Sequence, residues 1–180
     1  MRPLSINIGT PVPIGRRASK TVLSAIGKAP VQGSIEVRRT NLEGDRQADL
    51  RVHGGEYKAV YVYPSEHYPF WRKQFPDRPL PWGSFGENFT TEGLLESEIR
   101  VGDELLIGSA GFAVTQPRSP CYKLGLKFGT EMMVRWFYEA NRPGFYLRVR
   151  KEGRVSVGDS IHWGEAVGDG PTILSVFNQA

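Results

Sequence analysis

Glycine and proline punctuation constrains this chain more than any other feature: 21 glycines and 13 prolines are spread along its 180 residues. Proline fixes φ and removes an N–H, and glycine favours turns over helix interiors, so long uninterrupted helices are excluded. Between the breaks lie short apolar segments rich in β-branched and aromatic residues, at 4–8, 21–26, 34–37, 59–63, 98–101, 104–107, 112–115, 145–150, 160–163 and 172–177. Their length, alternation and flanking turn residues read as strands. Some ten short strands predict a mainly β fold, a barrel or a sandwich.

Two segments carry helical spacing instead. Over 66–75, after Ser65 as N-cap, Tyr68, Trp71 and Phe75 recur at three- and four-residue steps, with Pro69 tolerable in the first turn. Over 131–140, after Thr130 as N-cap, Met133, Phe137 and Ala140 share a face, and Asn141-Arg142-Pro143-Gly144 stops the helix. Both stripes are read as core packing. An internal echo, Val101-Gly102-Asp103 and Val157-Gly158-Asp159, each followed by an alternating apolar segment, predicts the same tight turn twice.

The length supports a single domain over 1–180, and 39% hydrophobic residues exclude disorder as the main state. Lys and Arg number 23 against 19 Asp and Glu, a net charge of +4 with no basic tract, so anionic ligands are favoured only weakly. A lone cysteine forms no internal disulfide and permits the cytosol. Residues 1–14 contain no continuous apolar stretch of the kind that opens an export signal, and no run reaches the roughly 18 apolar residues of a membrane span. A cytoplasmic location without a membrane partner is expected.

Gln116-Pro117-Arg118-Ser119-Pro120-Cys121-Tyr122-Lys123-Leu124 is the most informative segment. Its two prolines stiffen a loop that follows an expected strand, and Arg118 and Lys123 bracket the thiol with positive charge. Such charges favour the thiolate, a nucleophile or soft-metal ligand; the competing reading of Cys121 is a small buried hydrophobe. Of the three histidines, His162 alternates with Ile161 and Trp163 and is expected to face outward, and His67 lies in the first helix. His53 differs, because Arg51-Val52-His53-Gly54-Gly55 sets a cation and an imidazole on alternate positions before two glycines where a ligand could approach the backbone. One Cys with scattered His gives no zinc spacing. In Gly83-Ser84-Phe85-Gly86-Glu87-Asn88-Phe89 the Asn88 amide is a candidate for hydrogen bonding to a heterocycle edge. Phosphate loops of the GxGxxG or GxxxxGK[ST] type are absent, which argues against ordinary dinucleotide and NTP enzymes.

Together, Val52-His53-Gly54-Gly55, 59–64, Glu66-His67-Tyr68, Phe85-Gly86-Glu87-Asn88, Val101-Gly102-Asp103 and the Pro117 to Leu124 string resemble a MOSC domain, and within that family its YiiM-like group. The resemblance runs from about Ile26 to Val167 and implies a β-barrel with a few peripheral helices that binds molybdenum cofactor (molybdopterin), with Cys121 as the metal ligand. It implies reduction of N-hydroxylated small molecules: hydroxylaminopurines, hydroxylamines and amidoximes. Arg118, Ser119 and Lys123 are suitable types for the pterin phosphate, with Asn88, Gly54 and Gly55 also expected at the cofactor. Arg51 and His53 would stand near the metal and help deliver protons. Relatives of this type continue into a small helical C-terminal extension that this sequence is expected to lack. A flavoprotein or flavodoxin-like electron donor is the expected partner, and a homodimer is left open. The alternatives are a sulfur or cofactor carrier using the same cysteine without redox turnover, and a nucleic-acid-binding β-barrel, against which the modest charge and the absence of a basic stripe argue.

Overall fold

The computed structural model describes residues 1–48, 54–165 and 168–179. In chain order the elements are β1 (Arg2–Ile8), β2 (Val12–Arg17), β3 (Lys20–Ser24), β4 (Ala29–Pro30), β5 (Ser34–Arg38), β6 (Asn41–Leu42), β7 (Val60–Pro64), α1 (Tyr68–Gln74), β8 (Phe89–Glu92) and β9 (Glu104–Ile107). They continue with β10 (Ala110–Pro117), α2 (Tyr122–Phe128), α3 (Met132–Ala140), β11 (Phe145–Lys151), β12 (Gly153–Ser156), β13 (Ile161–Trp163) and α4 (Ile173–Phe177). The fold is mainly β with few helices, as the punctuation requires.

One large sheet has the order β13-β9-β10-β11-β7-β8-β1-β4; a three-stranded sheet, β12-β5-β6, and the β2-β3 hairpin stand beside it. Every pairing in the large sheet is antiparallel except β7 with β8. Among the described residues no ladder joins β13 to β4, so the expected closed barrel is not formed by backbone pairing. The two edges are strands of three and two residues, too short to template a further strand. No helix among the described residues is long and apolar enough to cross a membrane.

Strand β7, Val-Tyr-Val-Tyr-Pro, is buried along its whole length because it serves two layers. Period-two alternation sends Val60 and Val62 into an aliphatic core with Ile6, Phe112 and Leu147. The same alternation sends Tyr61 and Tyr63 into an aromatic core with Trp71, Phe85 and Phe137, the layer that α1, α2 and α3 close. Trp71 donates its indole N–H to the Tyr63 hydroxyl at 2.6 Å, so neither polar atom is buried unpaired.

Four local expectations are corrected. Residues 172–177 are not a strand: α4 forms, Thr172 Oγ1 accepts the Ser175 N–H at 3.2 Å, and Ile173 and Phe177 fall four apart on the buried side. Residues 98–101 lead into a turn, with a single bridge from Arg100 to Thr172. Ser65 does not cap α1; a 3-10 turn, Ser65–His67, precedes the helix. Thr130 is not the N-cap of α3 either, that position being Glu131, although its hydroxyl accepts the Met132 N–H at 3.3 Å just before the helix. The echoed turns are equivalent in detail: Asp103 Oδ2 accepts the Arg100 N–H and Asp159 Oδ2 the Ser156 N–H, both at 2.7 Å, with Gly102 and Gly158 at φ 95° and 87°. The strands fed by the two turns, β9 and β13, pair with each other.

Candidate functional site

A cleft opens where the loop after β10 faces the loop before β8. Pro117 ends β10, and the chain turns Arg118 inward, leaves Ser119 exposed and brings half-buried Cys121 to the N-cap position of α2. The Leu124 N–H donates to the Cys121 carbonyl at 2.9 Å, which fixes the cysteine backbone to the first turn of the helix. Arg118 is 7% exposed; its Nη1 donates to the Phe85 carbonyl at 2.5 Å and its guanidinium carbon lies 4.7 Å from the Tyr61 ring centre. Burial pushes the guanidinium pKa down, but the Tyr61 and Tyr146 hydroxyls and the Cys121 sulfur outweigh it, so Arg118 binds its proton more tightly than a free arginine does.

The facing wall is folded around Glu87, which is fully buried. Its carboxylate accepts the Gly83 N–H at 2.8 Å, the Phe85 N–H at 3.0 Å, the Thr90 hydroxyl at 2.9 Å and the Tyr68 hydroxyl. Those bonds hold the Phe85 carbonyl where Arg118 meets it. Gly86 has φ 84°, and a Cβ there would lie 2.8 Å from Ile26, so a side chain is excluded on two counts. The Asn88 amide is engaged within the protein. Its oxygen accepts the Tyr61 N–H at 3.0 Å, and its nitrogen donates to the Asn7 carbonyl at 3.2 Å and to Asp45 Oδ2 at 2.9 Å. Asn88 therefore ties β7, β1 and the Asp45 turn together beneath the cleft. Asp45 also pairs with Lys28, whose ammonium pKa is lowered by burial and partly restored by that carboxylate.

Lys28, Arg46, Lys58, Arg118 and Lys123 line the cleft, and among the described residues no Asp or Glu does, although Asp45 beneath it compensates Lys28. Lys123 is 9% exposed, and no acceptor among the described residues reaches its ammonium. Its nitrogen is not among the buried unpaired side-chain atoms, so the ammonium opens into the cleft, where it suits an anionic ligand. Burial pushes the pKa of the Tyr146 phenol up, with Arg118 opposing, so Tyr146 lines the cleft as a neutral hydroxyl. No group of three or more His, Cys, Asp or Glu among the described residues could hold a metal ion. A metal bound by these residues would have Cys121 as its soft donor and the rest of its ligands from elsewhere.

The structure brings Arg118, Ser119, Cys121, Lys123, Asn88 and Gly54 to one cleft. Gly54 and Gly55 have φ 92° and 83°; Gly54 lines the cleft, where a Cβ would lie 3.1 Å from Gln47, whereas Gly55, whose Cβ would meet nothing within 4 Å, is not among the residues that line it. Arg51 and His53 lie outside the described residues. His162 is exposed on β13 as expected, but Trp163, which the alternation would turn inward, is exposed as well. His67 is not an ordinary helical residue: it is buried, with Nε2 2.8 and 2.9 Å from the two Glu96 oxygens, while Glu96 also accepts the Gly144 N–H at 2.6 Å. Sequence reasoning missed Lys28, Lys58, Tyr61 and Tyr146. Tyr61 carried a signal, the Val/Tyr alternation of β7, and Lys58 lies just after Gly54-Gly55; Lys28 and Tyr146 reach the cleft from distant segments that no local spacing connects.

Residues 49–162 match the MOSC domain family. The chain is 46% identical over 158 residues to the uncharacterized protein YflK of Bacillus subtilis, covering 88% of this chain and 71% of that one. It is 33% identical over 143 residues to a reductase of Gibberella moniliformis, covering 78% of this chain and 25% of that much longer protein. Among solved structures, YiiM from Geobacillus stearothermophilus superposes with a TM-score of 0.79 at 32% identity, over 98% of this chain and 82% of that one.

Proposed function

The chain belongs to the MOSC domain family, and from that premise we propose that it is a molybdenum-cofactor-binding reductase of N-hydroxylated compounds. The observation that carries this reading is the cleft: one half-buried thiol, five cationic side chains and no acidic side chain among the described lining residues. The donor set fits the group. Molybdenum cofactor is an anionic pterin dithiolene with a phosphate tail; a soft thiolate suits its metal, and cations suit its phosphate.

In this reading Cys121 holds the metal, and Lys123, which has no acceptor of its own among the described residues, takes the phosphate with help from Lys28, Lys58 and the exposed Ser119 hydroxyl. Arg118 contributes charge from behind, anchored on Phe85 and Tyr61. Gly54 lines the cleft beside Gln47 and is retained in the proposal as a backbone contact to the group, with Gly55 next to it. Bound cofactor supplies two-electron chemistry at an N–O bond. Overall, R–NHOH with two electrons and two protons gives R–NH2 and water, so a donor is required, and a flavoprotein or flavodoxin-like protein is the proposed one. Arg51 and His53 are retained in the proposal as the groups that handle those protons. The similarity to a protein named reductase supports the redox assignment over a carrier role.

The test is reduction of benzamidoxime and of N6-hydroxyadenine by protein produced in a host that makes molybdenum cofactor, with a viologen dye as electron source. Turnover that scales with molybdenum content is expected. Fully loaded protein that reduces neither compound would overturn the reductase assignment and leave the carrier role.

A further inference from the structure

The first 35 residues contain no Asp or Glu; the first acidic side chain is Glu36. The cations of this stretch include Arg16, Arg17 and Lys20, all exposed, at the tip of the β2-β3 hairpin. Arg17 and Lys20 are direct cross-strand partners across the Ala18-Ser19 loop, so two like charges stand opposite each other, an arrangement that disfavours the hairpin unless an anion lies between them. Neither has a carboxylate partner among the described residues. The hairpin is held over α2: a Cβ on Gly15 would lie 3.5 Å from Leu126, and Val22 is buried. The charged tip is thereby set beside the residue that follows the thiol. Tyr122 is 40% exposed, and the Arg17 guanidinium carbon lies 4.4 Å from its ring centre.

Between the hairpin and α2 lies a second depression, of about 660 Å³, lined by Arg17, Lys20, Tyr122 and Lys123. It is inside the range of roughly 300 to 1,000 Å³ usual for small-molecule sites. It shares Ala48 and Lys123 with the cleft that contains Cys121, so the two adjoin. A part-exposed tyrosine ring, two cations without acidic partners and a wall shared with the Cys121 cleft match a ligand that has a planar ring at one end and a phosphate at the other.

We propose that this depression binds the phosphate of the substrate, so that the compounds reduced at Cys121 are N-hydroxylated nucleotides in preference to the free bases or nucleosides. The inference rests on the reductase reading for the reaction but not for the phosphate site. The ring stacks by Tyr122, and Arg17 and Lys20 close on the phosphate.

The experiment uses cofactor-loaded full-length protein, wild type and Arg17→Ala/Lys20→Ala, with Arg17→Lys as the charge-preserving control. Calorimetric titration compares AMP with adenosine, and kinetics compare N6-hydroxyadenosine 5′-monophosphate with N6-hydroxyadenosine. Two charge-assisted hydrogen bonds give an expected preference for the phosphorylated compound of at least about ten-fold in both measurements. The double variant should lose that preference and Arg17→Lys should keep it. Equal binding of AMP and adenosine by wild type overturns the proposal, whether or not the double variant folds. A preference that survives in a folded double variant overturns it as well, since the phosphate is then held elsewhere. Tighter binding of a single-stranded oligonucleotide than of AMP, lost in the same variant, assigns the hairpin to nucleic acid and also overturns it. Selective AMP binding without reduction of any N-hydroxylated compound supports the phosphate site and removes the reductase reading.

Discussion

Arg118 and Lys123 flank the thiol almost symmetrically in sequence, but their surroundings require different responses to removal. Arg118→Ala takes away a charge-assisted hydrogen bond to the Phe85 carbonyl, made at 2.5 Å inside the protein, and a guanidinium stacked 4.7 Å over Tyr61. Stranding the carbonyl costs about 1 to 3 kcal/mol, losing the cation–π contact about 0.5 to 2, and an unfilled void adds more, so roughly 4 kcal/mol is expected. Lys123→Met removes an ammonium that has no acceptor among the described residues and keeps a side chain of similar length and apolar body. Because that ammonium opens into the cleft, its loss should leave cofactor-free protein within about 0.5 kcal/mol of wild type. The assay is urea unfolding of cofactor-free protein followed by tryptophan fluorescence, with wild type and both variants at the same pH. Cofactor content then moves oppositely: Lys123→Met folds normally but retains pterin poorly. A loss of more than about 1.5 kcal/mol in Lys123→Met, or of less than about 1 in Arg118→Ala, would refute the reasoning, because it would mean that the anchoring cation had been misidentified.

Burial, opposed by the attraction of Glu87 and aided by Arg118, Arg78 and Lys28, lowers the Lys127 pKa to about 8. The unfolded chain, with lysine near 10.4, therefore holds more protons than the folded one above pH 8, and stability should rise from pH 8 to 9.5; in Lys127→Met that rise should shrink by on the order of 1 kcal/mol, and identical slopes would refute it. Gly86→Ala should cost about 2 to 3 kcal/mol, since the new methyl must adopt φ 84° and meet Ile26 at 2.8 Å; a thermal midpoint within a degree of wild type would show that the loop relaxes freely. Thr172→Ala should cost about 1 kcal/mol in denaturant unfolding through loss of the bond to the Ser175 N–H, and no change would mean that α4 is held by Ile173 and Phe177 alone.

What the sequence revealed, and what it concealed, follows from the range of the forces involved. Strand β7 was legible because strict Val/Tyr alternation is a local signature, even though both of its faces turn out to be buried. Residues 172–177 misled because Ile-Leu-Ser-Val-Phe has strand composition, while the deciding contacts are tertiary: Phe177 stacks on Tyr138 of α3 with ring centres 5.4 Å apart. Helix α2 was missed because Gly125 lowers its propensity. Yet a Cβ at Gly125 would lie 3.0 Å from the Thr130 carbonyl, so the glycine is there to let the chain leading into α3 approach. The parallel β7–β8 pairing had no sequence signal, since register across 27 residues is set by the sheet as a whole. In the site, the Pro117 to Leu124 string gave Arg118, Ser119, Cys121 and Lys123 together because they share one stiff loop. Asn88 was singled out correctly as unusual, but its amide joins strands and the Asp45 turn instead of pointing to a ligand. Lys28 and Tyr146 needed three-dimensional information, because they enter the cleft from opposite ends of the chain.

The central claim is that Cys121 holds molybdenum, and metal and pterin stoichiometry in Cys121→Ser tests it most directly. Wild type and variant are produced side by side in a host competent for the cofactor, and molybdenum by elemental analysis and released pterin by fluorescence are measured per folded chain. Serine keeps the shape but replaces a soft thiolate with a hard, protonated hydroxyl, so the variant should fold as wild type does and lose its reductase activity together with most of its molybdenum. Pterin should fall less, because Lys123 and the other cations of the cleft remain to hold the phosphate. Full molybdenum occupancy and undiminished hydroxylamine reduction in Cys121→Ser would contradict the account.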